Sequence, residues 1–90
     1  MEFEWDSAKA KSNLTKHGVS FSLAKLVFDD PYLFTDVDDT IAHDEEREIA
    51  VGMAQDQIVT VIFTMRYGKC RIISARRATR NEQQDYYGQA

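Results

Sequence analysis

Between Arg66 and Arg80 the chain reads RYGKCRIISARRATR, six basic side chains and no acidic one, within 90 residues whose formal net charge is −4. Five of the six are arginines: Arg66, Arg71, Arg76, Arg77 and Arg80. A guanidinium is planar, stays charged at any physiological pH and can grip two phosphate oxygens at once, so this composition suits a polyanion. Arg76, Arg77 and Arg80 fall where a strand leads into a helix start, whose free N–H groups also favour a phosphate. Tyr67, Tyr86 and Tyr87 could stack on unpaired bases, as readers of single-stranded RNA do. The residues alone equally allow that the arginines solubilise a sheet edge and pair with carboxylates elsewhere.

RNA cleavage asks little more of such a surface. The ribose 2′-OH attacks its own neighbouring phosphate, so the requirements are a base, an acid and cations for the developing charge. His17 is the best proton carrier by its ordinary pKa. Its position just before Gly18 also suits an interaction with the negative end of a helix. His43 lies among carboxylates that favour its charged form. Glu46, Glu82 and the tyrosines are substitutes.

Other chemistries lack their parts. The segment DVDDTIAHDEER opens like a calcium loop, but it lacks the turn glycine, and Arg47 stands where the bidentate glutamate belongs. One cysteine and two distant histidines do not make a zinc site, so neither a metal nor any other cofactor is expected. The four glycines are scattered and form no phosphate loop, and no G-x-S-x-G supports a triad. Cys70, alone, reads as a small buried hydrophobe. The N-terminus has neither a basic n-region nor an apolar h-region, and the longest apolar run is strand-sized; a cytoplasmic chain without membrane contact is expected.

The charge divides along the chain. Nine of the fifteen acids lie between Asp29 and Glu48, with Arg47 the only base among them, leaving six acids and ten bases elsewhere, a balance of +4. The chain is thus a basic body with one acidic segment, which keeps it soluble or meets a basic partner.

The elements that position these residues follow from spacing. With 43% hydrophobic and 29% charged residues, positions 1–90 suit one globular domain. Phe3 to Trp5 start as a strand. Asp6 is an N-cap for a helix ending at Gly18, with Ala10, Leu14 and His17 as its apolar stripe and Lys9, Asn13 and Lys16 beside it. Ser20 caps a second helix, whose buried side is Leu23, Ala24, Leu26, Val27 and Phe28 and which Pro31 ends. The period then drops to two: LFTDV, the run from Glu48 to Met53, IVTVIFTM and CRIISA predict a three- or four-stranded antiparallel sheet. Thr79 and Glu82 form a T-x-x-E capping box for a last helix. Alternation predicts Ile49, Val51 and Met53 on one face with Val59, Val61, Phe63 and Met65, beneath the two helices. Ala50, Gly52, Thr60, Thr64 and Arg66 fall opposite, and Ser74 and Arg76 join them if Ile73 faces the core.

Three stretches together, FEWDSAKAKSNLTKHGVSF, EEREIAVG and VIFTMR with CRIISARRATRNE, resemble the BrnT toxins of BrnT–BrnA toxin–antitoxin systems. The pattern W-D-x-x-K, N-x-x-K-H-G and R-I-I-S-A-R-R-A carries most of the likeness, which spans nearly the whole chain. The resemblance implies a RelE-like α+β fold and a metal-independent ribonuclease that halts translation. It also implies a BrnA-like antitoxin with a DNA-binding domain, operator DNA bound only through the complex, and room for a toxin dimer within it. Lys9, His17, Arg47, Arg66, Arg71 and Arg76 match the polar positions of these motifs. The match does not itself assign roles; we expect Arg66 and Arg76 on the scissile phosphate, Lys9 and Arg71 on flanking phosphates, and His17 or Glu46 in proton transfer. Arg47, Arg77, Arg80 and Tyr67 complete the RNA surface. Trp5 and Phe21 also match, and core packing explains them. The alternative is a non-catalytic binding module, or a degenerate toxin, that uses the arginines to dock a protein.

Overall fold

The computed structural model describes residues 1–38 and 46–89. The elements are β1 (Glu2–Glu4), α1 (Ser7–His17), α2 (Phe21–Ala24) continuing as a 3-10 segment (Lys25–Asp29), β2 (Phe34–Asp38), β3 (Arg47–Ala54), β4 (Gln57–Arg66), β5 (Lys69–Arg77) and α3 (Arg80–Gly88). The α+β order read from the sequence holds. Strands β2 to β5 form an antiparallel meander, and β1 adds a fifth strand parallel to β5, giving the order β1-β5-β4-β3-β2.

Local chemistry sets the helix ends. Asp6 Oδ1 accepts the N–H groups of Ala8 and Lys9 at 2.8 and 3.1 Å, and these bonds, that from Lys9 foremost, hold its carboxyl below the usual range. Gly18 adopts φ 71° and donates its N–H to the Leu14 carbonyl, a left-handed stop that costs glycine nothing sterically. Ser20 Oγ accepts the Leu23 N–H at 3.0 Å. The second helix is α-helical for only four residues before tightening to 3-10, and Leu26 stays 38% exposed.

The predicted stripe of α1 is corrected. Leu14 is half exposed, and Asn13 takes the buried place. Its Nδ2 donates to the carbonyls of Val19 and Ala75 at 3.0 and 2.8 Å, while its Oδ1 accepts the Ala75 N–H at 3.2 Å. Beyond the three residues of β1 the outer edge of β5 has no strand partner among the described residues, and this one amide satisfies both backbone groups of Ala75 there. A leucine could not, and an unmet buried N–H or C=O is costly.

The face assignment of β3 is corrected as well. The two-residue connection from Ala54 to Gln57 pairs Ala50 with Val61 and Gly52 with Val59. Directly paired residues share a face, so Ala50, Gly52 and Ala54 lie beneath the helices and Ile49, Val51 and Met53 lie opposite. Small side chains are required there because the 3-10 segment runs close. A Cβ on Gly52 would stand 2.9 Å from Val27 Cγ1 and 3.1 Å from the Val27 carbonyl.

A β-bulge then shifts β5. Phe63 pairs with Ile72 but Ile62 pairs with Ser74, leaving Ile73 as the extra residue. Cys70, Ile72 and Ala75 therefore all face α1 and α2, while Ser74 and Arg76 face the other way without Ile73 having to enter the core.

Two cores result. Beneath α1 and α2, Val19, Phe21, Ala24 and Val27 close over Val59, Val61, Phe63 and Ile72, with Phe28 edge-on to Phe63 at 5.1 Å and Trp5 to Phe21 at 5.9 Å. On the other face α3 packs Tyr86 with Val51, Ile58 and Ala78, flanked by Phe34, Ile49 and Met53. No helix among the described residues is long and apolar enough to cross a membrane.

Candidate nucleic-acid interface

Register places most of the predicted cations on the face that carries α3. Thr60 is opposite Arg76, Thr64 opposite Arg71, Arg66 opposite Lys69, and Arg47 pairs with Asp38 across β3 and β2. Because the bulge inverts alternation between Ile72 and Ser74, Arg71 and Arg76 share a face although five residues separate them. Thr64 Oγ1 donates to the Glu46 carbonyl at 2.7 Å, fixing the entry to β3 beside this surface. Glu46 itself is exposed and precedes the strand, one position out of phase with Arg47.

Arg76 is held in a network that the sequence did not reveal. Its Nη1 and Nη2 donate to Glu82 Oε1 and Oε2 at 2.7 and 3.1 Å, a bidentate pair. Glu82 Oε1 also accepts from Thr60 Oγ1 at 2.9 Å and from the Thr79 N–H at 2.8 Å. Partial burial pushes the Glu82 carboxyl up, but the hydrogen bonds from Arg76, Thr79 and Thr60 and the charge of Arg76 outweigh it, bringing the pKa down to about 2. Glu82 in turn raises the pKa of Arg76, to which Asp38 also contributes through space. The capping box is formed as predicted, with Thr79 Oγ1 accepting the Glu82 N–H at 3.2 Å. The box takes up two of the N–H groups at the start of α3, those of Thr79 and Glu82, and sets a carboxylate beside the rest.

The remaining cations sort by environment. Arg71 pairs with Glu4 at 3.3 Å and Lys69 with Glu2 at 3.8 Å, tying β1 to β5. Arg66 is exposed at the end of β4, next to the two-residue loop Tyr67–Gly68, where both residues have positive φ and Tyr67 is 97% exposed. Arg47 is half-buried, and its Nε is buried with no hydrogen-bond partner among the described residues. Arg77 pairs with Val59 and so points to the opposite side from Arg76, lining a cavity of about 220 Å³ with Asp56, Gln57 and Tyr87. Arg80 is exposed at the start of α3.

Tyr86 is removed from the list of base-stacking groups. It is 8% exposed, and its hydroxyl donates to Asp30 Oδ2, which also accepts the Met53 N–H at 2.7 Å. That bond, with burial and the Asp30 charge, pushes the phenol up to about 12. Tyr87 remains 67% exposed.

His17 and Lys9 do not sit on the sheet face. They line a cavity of about 180 Å³ between α1 and the β5 bulge, with Ser12, Asn13, Lys16, Ile73 and Ser74. Ser74 links this cavity to the arginine face: it pairs with Ile62, two residues from Arg76, and its hydroxyl donates to Asn13 Oδ1 at 3.2 Å. Sequence reasoning missed Asp38, Ser74 and the Arg76–Glu82 pairing. Arg76 lies on β5 and Glu82 on α3, so the period of neither element relates them and only the strand-to-helix turn brings them together.

Cys70 is fully buried, and burial first, then Glu48, pushes its thiol up to about 11, which leaves it a poor nucleophile at neutral pH. Among the described residues no group of three or more His, Cys, Asp or Glu is placed to hold a metal ion. His43 and three of the nine acids of the acidic segment, Asp39, Asp44 and Glu45, fall in 39–45, outside the described residues.

A sheet with arginines gathered on one face and helices closing the other is a scaffold suited to handling a polyanion, and comparison with known families makes that specific. The model of the family described as ribonuclease toxin, BrnT, of type II toxin–antitoxin systems matches residues 5–82. The chain belongs to this family of ribonuclease toxins, and such a system supplies it with an antitoxin partner. No curated protein matches the chain.

Proposed function

We propose that this chain, acting in the cytoplasm as one domain over residues 1–90, is an endoribonuclease that cleaves RNA without a metal, through the substrate's own 2′-OH. The observation that carries the reading is the placement of Arg47, Arg66, Arg71 and Arg76 along one sheet face, Arg66 six residues along β4 from the Thr60 that pairs with Arg76, with the His17 cavity next to it at Ser74. The base takes the 2′-OH proton as that oxygen attacks the adjacent phosphorus. Charge builds on the non-bridging oxygens, and arginines aimed at them stabilise the transition state. The 5′-oxygen leaves with a proton from the acid, giving a 2′,3′-cyclic phosphate and a 5′-OH. His17 is one proton carrier and Glu46 the other, with Arg66 on the scissile phosphate and Lys9 and Arg71 on its neighbours. Tyr67, Arg77 and Arg80 touch the RNA further out.

The Glu82 pairing gives Arg76 a second part: it is aimed as well as charged. A bidentate carboxylate fixes the guanidinium plane, and a fixed donor needs no reorganisation when charge develops. The antitoxin is a BrnA-like protein whose DNA-binding domain carries the complex to its operator, and the acidic segment is the surface for its basic residues.

Induced expression in a bacterial host, following growth and bulk RNA integrity, tests this reading. The parent chain should arrest growth with RNA loss, and Arg66→Ala, which leaves the Arg76–Glu82 pair in place, should relieve both. Unimpaired growth with intact RNA from folded parent protein contradicts the reading in favour of a docking module.

A further inference from the structure

We infer that the cavity between α1 and the β5 bulge is a phosphate subsite for the RNA backbone, in which Lys16 and Ser12 are ligands beside Lys9. This rests on the ribonuclease reading and extends it to residues with no role so far.

Lys9, Ser12 and Lys16 recur at helical spacing and so stand along one side of α1, each one turn from the next. Together with His17 they line the cavity, and among the described residues no carboxylate lines it. From Ser7 to His17 the helix carries three lysines and a histidine and no acid, in a chain that is acidic overall.

The opposite wall is the bulge, where Ile73 is the extra residue. Asn13 already satisfies both backbone groups of Ala75, so this edge is not seeking another strand. Ser74 gives its hydroxyl proton to Asn13, which leaves the ammonium groups of Lys9 and Lys16, the Ser12 hydroxyl and the His17 ring as donors. Among the described residues none of these four side chains makes an ion pair or a hydrogen bond. Four donors around about 180 Å³ suit the tetrahedral oxygens of a phosphate better than an extended acidic peptide. Ser74, at the rim of the cavity, shares its strand face with Arg76 two residues on, so a nucleic-acid strand crossing the arginine face can pass over β5 into it.

The test uses the full chain and a single-stranded oligonucleotide with every 2′-OH replaced by hydrogen, so that binding is read without turnover. Fluorescence anisotropy across a salt series compares the parent with Lys16→Ala, Ser12→Ala, Lys16→Arg and Lys25→Ala. Lys25 is the control: it lies at the start of the 3-10 segment, outside this cavity, with its ammonium over the Trp5 ring. Lys16→Ala should weaken binding by about tenfold and make the salt slope shallower by about 0.7, the loss of one single-strand phosphate contact. Lys16→Arg should restore both. Ser12→Ala should weaken binding about threefold, and Lys25→Ala should stay within about twofold of the parent. A Lys16→Ala variant that follows Lys25→Ala in affinity and slope, from a parent that binds the oligonucleotide and cleaves RNA, overturns the subsite and leaves the ribonuclease reading standing. A folded parent that neither binds nor cleaves overturns both.

Discussion

Glu82 shows how a single residue can serve the fold and the site together. It caps α3, fixes Arg76 and receives the Thr60 hydroxyl. Its carboxyl falls from an ordinary 4.5 to about 2, so the native state binds its proton less readily than the unfolded chain does. The resulting stabilisation is complete above about pH 4.5 and is lost as pH falls toward 2. A shift of this size corresponds to on the order of 3 kcal/mol, brought nearer 2 by partial solvent exposure. Glu82→Gln should therefore lower stability at pH 7 by about 2 kcal/mol and flatten the acid limb, as read by urea titrations across that range. A variant whose acid limb matches the parent's would show that the pair contributes nothing. Asn13 is the other residue whose loss should be costly. Asn13→Leu strands the Ala75 N–H and carbonyl and the Val19 carbonyl, and should destabilise by about 2–4 kcal/mol in equilibrium denaturation.

At the scale of elements, the sequence exposed what is decided within a few residues and hid what is decided by register. Asp6, Gly18, Ser20 and the Thr79–Glu82 box were legible because a cap acts over three or four positions. Which side of β3 faces the helices was not, since Ala50 and Gly52 read as the weaker, more polar face until the approach of Val27 explains why small residues belong there. Gly52→Ala is accordingly expected to cost about 1–3 kcal/mol through forced displacement of Val27 and Leu33, measurable as a drop in Tm with the cooperative transition retained. An unchanged Tm would mean that the 3-10 segment gives way freely. The bulge at Ile73 was equally hidden, and it decides the site: without it Arg71 and Arg76 would face opposite ways. The Arg76 position on the Thr60 face was reachable from the sequence only as a condition on Ile73, and the structure meets that outcome by a different route. Asn13 was misplaced for a related reason, because a polar residue beside an apolar stripe reads as solvent-facing unless the open β5 edge it completes is already known.

For the whole molecule, the opposition between net charge and function is resolved by distribution. The chain is acidic, yet the acids concentrate between Asp29 and Glu48 while the cations reach the α3 face of the sheet and the α1 side of β5. Several cations also have acidic neighbours of their own, Glu2, Glu4 and Glu82, which aim them without cancelling the field of the whole patch. Binding of a single-stranded RNA should weaken steeply with salt, by about 0.7 in logarithmic slope for each phosphate neutralised, and a flat salt profile would argue against the arginine face as the contact. The most direct measurement is the chemistry of the cut ends: purified full-length protein incubated with a defined RNA in the presence of EDTA, with the products resolved by mass. Fragments ending in a 2′,3′-cyclic phosphate and beginning with a 5′-OH, absent when the 2′-OH at the cleaved position is replaced by hydrogen, are expected. Products carrying 5′-phosphates, or cleavage that EDTA abolishes, would contradict catalysis by arginines and the substrate's own hydroxyl.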